Sequence, residues 1–380
     1  MKKKLVVIGK GTAGCFAMTH FLKWTNWDID WYYDDNIKPQ AVGEGSNIAF
    51  PKALFQNIGF QHYDLDEIDG TFKLGIKKTG WAKGKDYIHT FIPPFVSYHF
   101  NATRLQNYLF SMFKDNPRVT YYNKKVTNYD DIDCDFIMDC SGRPEDLSLF
   151  EISNSIPVNS VHVTQCYWDK VEFQHTLTLA RPYGWVFGIP LKNRCSIGYL
   201  YNNEINSLDE VKEDVKNVFE EYNLTPSTDH NTFTFGNYYR KKNFDGRVAY
   251  NGNASFFLEP LEATSIHMMD NIQRLALVNW TSPNSLNVNL EYTKSIKEIE
   301  TMIMLHYYSG SIYNTKFWDV AKEKGEKNVV EALNTDKKLN EIIEASKYYK
   351  FGDEMYVDDY GTWNVSSFKQ NLENLDYIIS

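Results

Sequence analysis

No apolar run in these 380 residues approaches the roughly 20 residues that a helix needs to span a bilayer, so no membrane-spanning helix is expected. Cysteine is scarce. The five present, Cys15, Cys134, Cys140, Cys166 and Cys195, form no C-x-x-C pair and have no histidine at metal-ligand spacing. That scatter predicts free thiols in a reducing compartment, with no disulfide framework and no structural metal. Basic residues are outnumbered, 40 Lys and Arg against 49 Asp and Glu, for a net charge of -9. A phosphate backbone requires a basic footprint, so nucleic acid is excluded as the main partner. Internal repeats, low-complexity tracts and obvious linkers are also missing. The N-terminus imitates a lipoprotein leader in its lysines and in Ala13-Gly14-Cys15, but the apolar stretch ends at Ile8 and Lys10 stands where such a leader needs bulk. A cytoplasmic location is the expectation.

Hydrophobic residues make up 43% of the chain, enough to bury a large core in two lobes or one α/β domain with insertions. Residues 5–8 read as a short buried strand. Gly9-Lys10-Gly11-Thr12-Ala13-Gly14 follows directly and opens a helical run through Trp24. In this strand, turn and helix, the first glycine permits a tight turn. The second lets a pyrophosphate approach the backbone, and the third allows the helix to pack closely on the strand. The helix N-terminus then faces the phosphates. A second strand, residues 29–33, ends at Asp34, about twenty residues past the last glycine, where a carboxylate would accept ribose hydroxyls. Asp34-Asp35-Asn36 also has plain turn composition.

Further along lie a glycine-rich segment at 42–46, a helix expected over 103–113 and a strand over 136–139 that ends in Cys140-Ser141-Gly142-Arg143. Residues 161–201 are rich in β-branched and aromatic side chains punctuated by Pro182, Gly184, Gly188 and Pro190, the composition of a sheet in a second lobe. A helix is predicted over 208–222 and a strand over 247–250. Glu259-Pro260 reads as the start of a following helix, and residues 289–380 read as mostly helical.

Several segments taken together carry a resemblance. Gly9 to Gly14, Val42-Gly43-Glu44, Thr71-Phe72-Lys73, Asp139-Cys140-Ser141-Gly142, Gly184-Trp185-Val186-Phe187-Gly188-Ile189-Pro190, Gly252-Asn253-Ala254 and Glu259-Pro260-Leu261-Glu262-Ala263-Thr264 fall in the order found in flavin-dependent, tryptophan-halogenase-like enzymes. Leu305-His306-Tyr307 and Phe317-Trp318 extend it, so the resemblance covers roughly residues 1–320. It implies an α/β fold: a glutathione-reductase-type, Rossmann-like FAD domain split by insertions, beside an antiparallel sheet and helices that form a substrate lobe. The FAD module would comprise residues 1–75, 100–160 and 245–285. The substrate module would comprise 76–99, 161–244 and 286–380.

The resemblance also implies a chemistry. Reduced FAD, supplied by a separate flavin reductase, reacts with oxygen and a halide to form hypohalous acid, which is passed to a lysine and on to an electron-rich aromatic substrate. The matching lysine is Lys73. Taken alone it reads as a solvated strand residue, like Lys77 and Lys78 beyond it. Its amine can form a haloamine or its ammonium can polarise hypohalous acid. Glu262 matches the second essential residue, a carboxylate that orients the halogenating species or takes up a proton. The cofactor would be held by Gly9, Gly11, Thr12, Ala13, Gly14, Asp34, Gly43, Glu44, Arg104, Gly252 and Asn253.

Three departures from the pattern stand out. The halide pair, ordinarily Thr-Gly, is Thr264-Ser265, where a Cβ restricts φ and reshapes the anion nest. Trp185, Phe187, Ile189 and Pro190 keep the stretch that separates substrate from flavin, but Phe187 replaces a tryptophan. The C-terminal region is short for an enzyme acting on free tryptophan, so phenols, indoles or other electron-rich rings are the expected substrates. An FAD-dependent aromatic hydroxylase and a non-catalytic flavin-binding protein are the alternatives. Oligomeric state is not legible, and a homo-oligomer stays open.

Overall fold

The computed structural model describes residues 2–37, 43–92, 94–350, 352–353 and 356–375. The side chains of Gly43, Glu44 and Asp229 are likewise outside the description. In chain order the helices are α1 (Thr12–Trp24), α2 (Ala49–Ile58), α3 (Ala102–Met112), α4 (Leu208–Glu221), α5 (Thr264–Thr281), α6 (Val288–Ser309), α7 (Lys316–Thr335), α8 (Lys337–Tyr348) and α9 (Val365–Asn374). The first ten strands are β1 (Lys4–Ile8), β2 (Asp28–Tyr33), β3 (Gly43–Gly45), β4 (Thr71–Lys73), β5 (Gly75–Thr79), β6 (Tyr87–Thr90), β7 (Ser97–Asn101), β8 (Val119–Asn123), β9 (Phe136–Asp139) and β10 (Phe150–Ile152). The others are β11 (Ser160–Tyr167), β12 (Thr176–Arg181), β13 (Gly184–Pro190), β14 (Cys195–Tyr201), β15 (Thr225–Thr234), β16 (Tyr238–Arg240), β17 (Phe244–Asp245), β18 (Val248–Tyr250) and β19 (Phe256–Phe257).

The unbroken apolar run at 5–8 makes β1 a strand covered on both faces, and it lies inside a six-stranded sheet of order β17-β18-β9-β1-β2-β8. β1 runs parallel to β2 and β9, so the strand ends carrying Gly9, Asp34 and Cys140 open on the same edge. Sequence order does not predict this adjacency, because β9 arrives more than a hundred residues after β1. The second large sheet, β15-β11-β14-β13-β12-β5-β6, is antiparallel except where β5 pairs in parallel with β12. Its strands β13 and β14 are buried along their whole length, one face carrying Trp185 and the other Val186 and Tyr199.

A small sheet of order β3-β7-β4 stands beside the second large one. Thr71 Oγ1 in β4 donates to Pro190 O at the end of β13 (2.8 Å), which fixes the small sheet against the long one. Predicted and observed elements agree within a residue or two. One difference bears on the site: Glu259-Pro260 does not begin a helix directly. A single 3-10 turn, Leu261–Ala263, comes first, with Glu262 and Ala263 at φ 67° and 55°, and α5 begins only at Thr264.

Candidate active site

At the end of β1 the chain turns through Gly9, at φ 101°, into α1. A Cβ on Gly14 would lie 2.0 Å from Gly9 O, so close helix-strand packing requires glycine there. Gly11 faces open space, with nothing within 4 Å of a Cβ built on it, and the N-terminus of α1 has no side-chain cap. Unpaired N–H groups at an open helix start suit a phosphate. Gly252 abuts the same place: a Cβ on it would be 2.6 Å from the Cβ of Ala13, which brings together two segments far apart in the chain. Asn253, next to it, is exposed, and its carbonyl accepts from Tyr238 Oη (2.9 Å).

Asp34 follows β2 and caps its own turn, Oδ1 accepting from Asn36 N and Nδ2 at 2.9 and 2.8 Å. Arg104 is exposed in the first turn of α3. Gln106, which the sequence did not single out, reaches Thr12 Oγ1 from the same helix (3.1 Å). Gly43 and Glu44 are paired through their backbones with Asn101 and Phe100, whereas Val42 lies outside the described residues.

Lys73 ends β4 with its side chain turned inward, 1% exposed. Its Nζ lies 3.6 Å from the Cβ position of Gly45, which also has Ala263 Cβ at 3.9 Å and His99 Cδ2 at 3.8 Å around it. The glycine that ends β3 thus lets Lys73 and the turn carrying Glu262 approach the same point. Burial lowers the Lys73 amine to about 8, Glu262 opposing and Lys78 reinforcing the shift. Near neutral pH it therefore has both ammonium and amine forms in reach.

Glu262 is the centre of a buried polar cluster. Oε1 is 2.5 Å from Lys78 Nζ, and Oε2 accepts from the Trp363 indole (3.0 Å) and lies 3.5 Å from His89 Nδ1. Lys78 Nζ also contacts His306 Nε2 at 2.6 Å and Asn371 Oδ1 at 2.7 Å. This overturns the expectation that Lys78 is solvated: it is wholly buried, because β5 alternates and turns Lys78 to the interior face while Lys77 lies partly exposed on the other. His306 Nδ1 faces Met302 O at 3.1 Å and must donate to it, so Nε2 is the acceptor for Lys78. Burial lowers the His306 imidazole to about 4, consistent with a neutral ring. Burial alone would raise the Glu262 carboxyl, but the Lys78 ammonium beside it holds it well below the usual carboxylate range.

Trp185 and Phe187 lie along β13, ring centroids 6.4 Å apart. The Phe187 ring rests on the backbone of Gly198, where a Cβ would come within 2.1 Å of it. Trp185 Nε1 and Tyr307 Oη both donate to Glu259 Oε2, at 3.1 and 2.8 Å, leaving Oε1 buried without a partner. Burial pushes the Glu259 carboxyl up to about 8. Ile189 is buried too, and Pro190 is the residue whose carbonyl holds Thr71. Thr264 and Ser265 form the uncapped first turn of α5, and Thr264 Oγ1 is buried with no partner. Ser265 lies within helical backbone, so the missing glycine costs no conformational strain there.

A cleft opens above this cluster, lined among others by Asn47, His89, Phe91, Glu262, Trp363 and Ser367. His89 Nε2 pairs with Ser367 Oγ (2.9 Å), which ties β6 to α9 across it. His89, Trp363 and Asn371 were not singled out in the sequence, Lys78 was expected in solvent, and His306 entered only as part of the Leu305-His306-Tyr307 match. For Lys78 and His89 the available signal was a lysine or histidine inside a strand, and that pattern does not say which groups meet.

A sequence profile of the tryptophan halogenase family matches residues 4–117 and 95–370. Tryptophan 7-halogenase RebH of Lentzea aerocolonigenes is 29% identical over 210 residues, 50% of this chain and 38% of that protein. Tryptophan 6-halogenase SttH of Streptomyces toxytricini is 20% identical over 258 residues, 60% of this chain and 49% of that protein. The aligned stretches thus span about half or less of these curated relatives. Among solved structures, the tryptophan halogenase of Shewanella frigidimarina NCIMB 400 superposes with a TM-score of 0.80 at 18% identity, covering 99% of this chain and 89% of that one. BrvH, a flavin-dependent halogenase from Brevundimonas sp. BAL3, gives 0.78 at 18% identity, covering 99% and 90%.

Proposed function

This chain belongs to the tryptophan halogenase family, and on that premise we propose that it is a flavin-dependent halogenase acting on an electron-rich aromatic substrate. The observation that carries the reading is the convergence of Lys73 and the Glu262 turn on Gly45, with Glu262 itself lining a cleft. Residues 1–75, 100–160 and 245–285 would form the FAD module, and 76–99, 161–244 and 286–380 the substrate module. The residues present suit FAD: an open Gly11, an uncapped α1 and Gly252 pressed on Ala13 leave a concave backbone surface for a pyrophosphate, with Asp34 at the adjacent strand end for a ribose. When bound and reduced by a partner reductase, FAD with oxygen supplies the oxidising power that converts halide to hypohalous acid.

The chain's own groups do the rest. Thr264 Oγ1 and the free N–H groups of the first turn of α5 suit a halide ion, and Ser265 keeps a backbone donor there. Lys73 receives the hypohalous acid. As ammonium it polarises the oxygen-halogen bond by donating a hydrogen bond, and as amine it can carry the halogen. Glu262, held as an anion, orients that species and stabilises the positive charge that develops on the ring. Trp185 and Phe187, buried along β13, would keep substrate from the flavin and oppose direct oxygen transfer, as the resemblance implies.

The test is mass spectrometry of phenols and indoles incubated with the protein, FAD, a flavin reductase and NADH, with chloride, bromide or iodide in separate reactions. Catalase and enzyme-free controls account for free oxidant. A halide-dependent mass shift that is lost in Lys73→Ala is the expected result. Oxygen insertion without halogen would instead identify a hydroxylase.

A further inference from the structure

We propose that Lys78 is a positioning residue of this reaction, clamping Glu262 as a fixed anion and tying the C-terminal wall of the cleft to it. The proposal rests on the halogenase reading for its chemistry, but the clamp itself is read from geometry. Lys78 Nζ donates to His306 Nε2 on α6 and Asn371 Oδ1 on α9, at 2.6 and 2.7 Å, and forms an ion pair with Glu262 Oε1 at 2.5 Å, so three separate elements meet on one ammonium. Trp363 and Tyr87 add ring faces 5.1 and 5.8 Å away. The charged and titratable groups around the pair are Lys73 from β4, His89 and Tyr87 from β6 and His306 from α6. The two histidines are held neutral by burial, so Lys78 and Glu262 answer each other's charge.

Such a pair is a poor choice for stability alone, since apolar residues of similar volume usually serve a buried site as well or better. What apolar residues could not supply is a carboxylate of fixed charge and direction facing the cleft. Glu262 and the next residue, Ala263, hold left-handed backbone angles that cost non-glycine residues energy and persist only where surrounding contacts enforce them. Lys78 and the Trp363 indole are those contacts. Asn371 also accepts from Tyr87 Oη at 2.8 Å, so the same lysine fixes α9, whose N-terminal segment forms the outer cleft wall. Without Lys78, Glu262 would be a buried carboxylate free to take up a proton and swing, and the wall would lose its anchor.

The experiment compares Lys78→Met and the double variant K78M/E262Q with the unmodified chain in two assays. Thermal melting from pH 5 to 8 needs no substrate. In the wild type the clamped carboxylate titrates well below the usual carboxylate range, so its contribution is lost only at pH below that of the series and gives no slope from pH 5 to 8. In Lys78→Met the buried, unpaired carboxyl should have a raised pKa, so its midpoint should fall as pH rises, and the double variant should remove that slope. Halogenation of phenol or indole with bromide, FAD and reductase is then followed from pH 5 to 9. Lys78→Met should lose at least tenfold in kcat at pH 8 while KM changes less than threefold, and the loss should deepen toward acid pH, where the unpaired Glu262 is protonated; recovery toward acid pH would overturn the anion's role. A melting slope for Lys78→Met that matches the wild type overturns the clamp. An altered slope with unchanged kcat and pH-rate profile overturns the role in the reaction. If the wild type makes no halogenated product, the halogenase reading falls and with it the catalytic part, while the melting slopes still decide the clamp.

Discussion

Replacing Glu259 by Gln should reverse part of the protein's loss of stability at alkaline pH. Glu259 is fully buried, and burial raises its carboxyl from 4.5 in the unfolded chain to about 8. The folded state therefore binds more protons than the unfolded state between those values. Stability from this group is fully present below about pH 4.5 and is lost as pH rises through about 8. The span of about 3.5 pH units, at about 1.36 kcal/mol each, amounts to about 5 kcal/mol at saturation. Unfolding entropy of about 2.1 cal/mol/K per residue over 380 residues is about 0.8 kcal/mol/K, so the effect is roughly 6 °C in melting midpoint. Gln keeps an oxygen for Trp185 and Tyr307 but leaves an amide N–H where Oε1 had no partner, a pH-independent cost of about 1–3 kcal/mol. The quantity to read is therefore the difference in slope: midpoints of wild type and Glu259→Gln are measured by circular dichroism from pH 5 to 9. Glu259→Gln should start lower at pH 5 and close or cross the gap by pH 9. Parallel curves would refute the reasoning, because a carboxylate ionised throughout the range would have no such linkage.

Other expectations can be checked as directly. Lys73→Ala should abolish halogenated product while FAD binding, followed by flavin fluorescence, stays within threefold of wild type. Gly14→Ala should weaken FAD binding at least tenfold or prevent folding, since its Cβ would meet Gly9 O at 2.0 Å; flavin titration of the purified variant reads this. Glu262→Gln should cost about 3–5 kcal/mol by leaving the Lys78 ammonium buried without its counter-charge, about 4–6 °C in midpoint. Gly198→Ala should displace the Phe187 ring, lowering the melting midpoint and, in product analysis, raising any oxygen-inserted by-product.

The parts of the protein that the sequence by itself determined are those built from local patterns. The apolar run, three spaced glycines and helix at 5–24 are contiguous, and each glycine's role follows from backbone sterics within a few residues. The motif order placed Lys73 and Glu262 as candidates, and strand and helix boundaries follow from periodicity and turn residues that act at short range. The tertiary structure alone decided which distant groups meet. Lys78 and Lys77 are neighbours of one composition, and only the packing of β5 between β6 and β12 decides which of them is buried. Glu262, His306, Trp363 and Asn371 reach Lys78 from a turn, a helix, a loop and a further helix across as many as 293 residues. A charge can be held in the interior only when its partners arrive together, and that arrival depends on the assembled tertiary structure. Alternation along one strand marks a side chain's face, but the two acceptors and the counter-charge that meet a buried ammonium come together only once the chain has closed around it.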